Sequence, residues 1–124
     1  MRIYRSTNVF KDERGLIINI SPDEDIKDVL YITGKPGAVR GSHYHQKDSH
    51  YCYILKGIID YQYKDPETNE TVTERLSKGD IVYSAPMEHH RFVFQTHGAF
   101  IAMATQSRVQ NDYENDTIRI EFEK

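Results

Sequence analysis

Apolar and polar residues alternate in short runs along this chain, and the repeat is two residues rather than 3.6. Ile59, Tyr61 and Tyr63 interleave with Asp60 and Gln62, the pattern of a strand with one face on a core. Residues 28–32, 81–83, 92–94 and 118–122 are likewise rich in β-branched and aromatic side chains. No stretch carries a convincing helical stripe. Breakers separate the runs: Gly15, Gly34-Lys35-Pro36-Gly37, Gly57, Asp65-Pro66, Lys78-Gly79-Asp80, Ala85-Pro86 and His97-Gly98. Short strands at spacings of roughly 8–12 residues read as an antiparallel sandwich or barrel. The polar stretch 106–115 predicts a loop before a last strand. The expectation is an all-β chain, one domain over residues 1–124.

Composition narrows this picture. A chain of 124 residues has room for one hydrophobic core and not two. Lys and Arg total 16 against 19 Asp and Glu, so no basic excess exists to bind a phosphate backbone, and nucleic acid is excluded as an expected partner. The single cysteine, Cys52, cannot form an internal disulfide and fits a reducing compartment. It lies in the apolar run 51–55, where a packed thiol is expected rather than a nucleophile. Residues 1–6 lack the apolar stretch of a signal peptide, and no run approaches the roughly 18–20 apolar residues that span a bilayer. A cytoplasmic protein with no membrane partner is expected.

All six histidines fall between positions 43 and 97. On a strand, residues two apart point to the same face, so His43 and His45 can converge on one point. On a helix they would diverge by about 200°. His50 follows a short turn and can fold back beside the pair, and His89-His90 offers further imidazoles from the turn after Ala85-Pro86. Tyr44, by alternation, faces away from the pair and is expected to pack in the core. Tyr51 and Tyr53 flank Cys52 and could line the interior, stacking on a base or sugar. Glu88 reads as a solvated turn residue.

The spacing Gly37-x5-His43-x-His45-x4-His50-x6-Gly57 resembles the first cupin motif, with His50 where that motif normally carries Glu. The stretch from Gly79 through Pro86 to His90 is similar to the second cupin motif, whose histidine falls on His90. The resemblance covers about half the chain and implies the double-stranded β-helix, or jelly roll. It also implies one divalent metal ion (Zn, Fe, Ni or Mn) held by His43, His45, His50 and His90, with no organic cofactor. His89 would then be a group of the pocket rim and His97 an exposed one.

Two further features are similar to nucleotide-sugar cupins. Asp12-Glu13-Arg14-Gly15 and Arg40-Gly41-Ser42-His43 resemble the paired signatures of dTDP-4-keto-sugar 3,5-epimerases and dTDP-4-keto-6-deoxyglucose 3,4-ketoisomerases. A similar Arg-Gly-x-His-Tyr-His run occurs in the C-terminal cupins of capsular-polysaccharide enzymes. The turn Ala85-Pro86-Met87-Glu88-His89-His90 and the segment from Tyr113 to Arg119 have counterparts in the ketoisomerases. The resemblance implies a nucleotide-sugar substrate and a homodimer. In these terms His43 is the base that removes the acidic C–H beside a carbonyl, and His45 is the second proton carrier. Arg14 and Arg40 would hold the diphosphate, with Tyr53 and Arg119 as further substrate contacts. No Tyr stands in 100–104, where 3,5-epimerases place an acid, which disfavours that reaction.

A metal on His43 would occupy the lone pair that a base needs, so the two roles compete for one residue. Three functions follow: isomerisation or epimerisation of a nucleoside-diphosphate keto-sugar, metal-dependent chemistry of another kind (an oxygenase or small-acid isomerase), or non-catalytic binding of a small molecule.

Overall fold

A computed structural model describes residues 2–106 and 117–119. Among them there is no helix. Twelve strands run in chain order: β1 (Ile3–Arg5), β2 (Val9–Asp12), β3 (Gly15–Ile18), β4 (Asp28–Gly34), β5 (Val39–His45), β6 (His50–Lys56), β7 (Ile59–Lys64), β8 (Thr71–Leu76), β9 (Asp80–Ser84), β10 (His90–Phe94), β11 (Gly98–Ala104) and β12 (Thr117–Arg119). The remainder of the expected last strand, and most of the loop expected over 106–115, lie outside the described residues.

Two five-stranded sheets form, in the orders β1-β9-β6-β11-β4 and β12-β5-β10-β7-β8, and β2 pairs with β3 as a separate hairpin. Every pairing is antiparallel. This is the jelly roll that the period-two pattern and the motifs led us to expect.

The core follows directly from alternation. Cys52 and Ile54 of β6, Ile59 and Tyr61 of β7, Phe92 and Phe94 of β10, and Phe100 and Ala102 of β11 all face inward and pack as one cluster. Phe92 stacks on Phe100 with centroids 4.6 Å apart. Gly34 and Gly57 are required by close approach. A Cβ on Gly34 would sit 2.6 Å from the Phe94 ring, and one on Gly57 would sit 2.4 Å from the His97 carbonyl oxygen. Gly57 also turns β6 into β7 at φ +89°, a conformation few other residues adopt. No helix among the described residues is long and apolar enough to cross a membrane.

Candidate functional site

Strand β5 carries the densest chemistry, and its backbone is irregular where that chemistry sits. Against β10 its register runs Phe92↔Arg40, Arg91↔Gly41 and then His90↔His43, so Ser42 is an extra residue in the ladder. Gly41 at φ +94° and Ser42 at φ +59° absorb it. On a regular strand Arg40 and His43, three residues apart, would face opposite ways. The bulge turns both toward the gap between the two sheets.

That gap is a cavity of about 430 Å³. Leu30, Ile32, Phe92 and Phe100 form its apolar walls, and Arg40, His43, His50 and His90 supply its polar groups. Its size and lining suit a small molecule held by a few convergent polar groups. The Arg40 guanidinium stands at Thr33, donating to that residue's carbonyl through Nε at 3.2 Å and Nη2 at 2.9 Å.

The motif histidines meet at this cavity. The His43 ring centroid lies 4.4 Å from that of His45 and 5.0 Å from that of His90, and His45 lies 4.8 Å from His50. His45, His50 and His90 are buried, and His43 is half-buried. His45 is not a wall of the cavity; it stands behind His43.

His90 is oriented by its own turn. Its Nδ1 lies 2.9 Å from the Glu88 carbonyl oxygen. A carbonyl only accepts, so Nδ1 carries the proton and the lone pair of the neutral ring is on Nε2. Burial pushes the His90 pKa below the ordinary imidazole value, which favours that neutral ring.

Glu88 is not the solvated residue its turn position suggested. Its side chain is 7% exposed, salt-bridged to Arg2 and accepting from the Tyr61 hydroxyl. Tyr61 also meets Ser84 Oγ at 2.8 Å. Burial first, and the Glu88 carboxylate next, push the Tyr61 pKa well above its ordinary value, so the phenol stays protonated. The Tyr61 ring stacks against His90, with centroids 5.9 Å apart.

The remaining expected residues separate. Arg14 sits at the β2–β3 turn, exposed and paired to Asp12, with its Nε 3.0 Å from Oδ2, and within one chain it does not line the histidine cavity. Tyr53 points away from it as well, because Cys52 and Ile54 are the inward residues of β6. Arg119 pairs by backbone register with His43 on β5, and its side chain lies outside the described residues. Tyr44 does face away from His43 and His45, but it stacks on His89 at 4.5 Å rather than joining the core. His97 is exposed and Cys52 is buried, as expected.

One residue was missed. Asp48, in the turn between β5 and β6, is 3% exposed. Its Oδ1 accepts from the Gln106 amide at 3.0 Å, and its Oδ2 lies 3.5 Å from His50 Nε2. The available signal was a carboxylate inside the His45-x-x-Asp48-x-His50 run.

The donors fit a divalent ion. Two groups, His43–His45–His90 and His45–Asp48–His50, each have their ligand atoms within 4.8 Å of one another. A tetrahedral ion with bonds of about 2.0–2.2 Å needs its ligand atoms roughly 3.4 Å apart.

The family model described as "polysaccharide biosynthesis C-terminal domain" matches residues 10–118. No curated protein matches the sequence. Among solved structures, a double mutant of the 3,4-ketoisomerase QdtA from Thermoanaerobacterium thermosaccharolyticum, in complex with TDP, is 25% identical at a TM-score of 0.74, over 95% of this chain and 87% of that one. A dTDP-4-dehydrorhamnose 3,5-epimerase from Sulfolobus tokodaii is 17% identical at a TM-score of 0.79, covering 97% and 76%. The capsular polysaccharide assembling protein CapF from Staphylococcus aureus is 19% identical at a TM-score of 0.69, covering 92% of this chain but only 34% of CapF.

Proposed function

The chain belongs to the polysaccharide biosynthesis C-terminal domain family, and on that footing we propose that it isomerises or epimerises a nucleoside-diphosphate keto-sugar. The observation that carries this reading is the shared orientation of Arg40 and His43 into one cavity of sugar-sized volume. His43, the half-buried imidazole of the cavity wall, removes the proton on the carbon beside the sugar carbonyl, leaving an enolate. Return of a proton on the other face of the same carbon completes an epimerisation; in an isomerisation the neighbouring hydroxyl gives its proton to the enolate oxygen and the former carbonyl carbon receives the returning proton, so the carbonyl moves by one position. His45 is the second carrier: its ring contacts His43 from behind, so a proton can pass between them without entering bulk water. Arg40 meets the diphosphate by charge-assisted hydrogen bonds at the polar side of the cavity. When bound, a divalent ion on the central donors would polarise the carbonyl and stabilise the enolate.

The similarity to a ketoisomerase solved with TDP supports the substrate class. The test is turnover of a panel of nucleoside-diphosphate 4-keto-6-deoxysugars followed by NMR. Conversion by the wild type and its loss in Arg40→Ala are expected. No conversion of any member would contradict the reading.

We also propose a homodimer. The β2–β3 hairpin exposes Val9, Phe10, Leu16 and Ile17, more contiguous apolar sequence than a solitary surface hairpin needs. Solution mass by light scattering checks it.

A further inference from the structure

His45 belongs to both donor groups. The two differ in chemistry. His43–His45–His90 is made of three imidazoles, and two of them are walls of the cavity. His45–Asp48–His50 contains a carboxylate, and its members are 1%, 3% and 5% exposed. A divalent charge in a buried site is costly unless an anion compensates it. Asp48 is also pre-positioned: its Oδ1 is held by the Gln106 amide at 3.0 Å and meets the Thr105 hydroxyl at 3.4 Å, so its Oδ2 is presented toward His50. Two imidazoles and one carboxylate form a donor set that zinc takes in catalytic sites.

We propose that the divalent metal of this protein is seated on His45, Asp48 and His50, with Asp48 supplying the carboxylate that the first cupin motif would carry at position 50. The seat does not use His43. The competition between metal ligand and base is thereby removed at His43 and passes to His45, which with the ion bound is a ligand instead of the second proton carrier. This consequence rests on the proton-transfer reading above; the seat itself does not.

The test is metal affinity, measured without substrate. Metal-stripped protein is titrated with Zn2+ against a chromophoric chelator, in the wild type and in Asp48→Asn, His50→Asn, His43→Asn and His90→Asn. We expect Asp48→Asn and His50→Asn to weaken binding at least about 10-fold, the range typical of lost ligand-shell groups. We expect His43→Asn and His90→Asn to stay within about 3-fold of the wild type. Loss confined to His43→Asn and His90→Asn would overturn the proposal, as would equal losses in all four variants or no wild-type binding tighter than about 1 mM. Since Asp48→Asn could disturb the fold, Co2+ loading gives a second readout. The visible Co2+ spectrum should be unchanged by His43→Asn, which removes a half-buried ring; a changed spectrum overturns the seat. Failure of these titrations would leave keto-sugar turnover unaffected as a result, so the two readings fail separately.

Discussion

Arg40 and His43 stand three residues apart on one strand and nevertheless line the same cavity. The extra residue at Ser42, taken up by Gly41 at φ +94° and Ser42 at φ +59°, is what turns them to one side. A methyl group on Gly41 would occupy a strained backbone conformation and lie 3.3 Å from the Arg91 Cα. Gly41→Ala is expected to cost about 1–3 kcal/mol in urea unfolding and to lower turnover, because it displaces Arg40 and His43 together. An unchanged unfolding midpoint would mean that the bulge relaxes without strain.

Glu88 ties the first residues of the chain to the site. Its carboxylate receives Arg2 and Tyr61, and its carbonyl holds His90. Glu88→Ala leaves a buried phenol and a guanidinium without that acceptor, at an expected cost of about 1–3 kcal/mol in urea unfolding. Tyr61→Phe removes the hydrogen bonds to Glu88 and Ser84 and keeps the ring against His90, so about 1–3 kcal/mol is expected.

The depressed pKa of His90 makes stability fall in acid. In the unfolded chain this imidazole takes up its proton near the ordinary value of about 6.5, whereas burial holds the folded one neutral to lower pH. As pH falls below about 6.5 the unfolded state therefore binds more protons than the folded state, and stability drains away. The rings of His43 and His45, the contact with Tyr61 and the nearby Glu88 and His89 surround the group. Urea unfolding at pH 7.5 and 5.5, with chelator present, should show a smaller acid loss in His90→Gln than in the wild type. An equal loss in both would assign the effect to other groups.

The strand framework was legible because period-two alternation is a local property. Ile59, Tyr61 and Tyr63 face inward as their spacing requires, and His43 and His45 share a face for the same reason. What escaped was set by irregularity or by distance along the chain. Alternation alone would have separated Arg40 from His43; only resemblance put them together. Asp48 is polar and sits in a turn, where a solvated side chain is the ordinary outcome, yet the chain at 105–106 closes over it. Glu88 is buried by Arg2, 86 residues away. Tyr53 was the avoidable case, since inward Cys52 places its neighbours on the outer face.

Proton transfer by His43 beside a sugar carbonyl is tested most directly by solvent deuterium incorporation, followed by NMR, when nucleoside-diphosphate 4-keto-6-deoxysugars are incubated with the protein in D2O. The wild type should place deuterium on a carbon adjacent to the carbonyl, and His43→Asn, folded as judged by circular dichroism, should place none above background. Equal incorporation by His43→Asn, or none by the wild type with any of these sugars, would contradict the account.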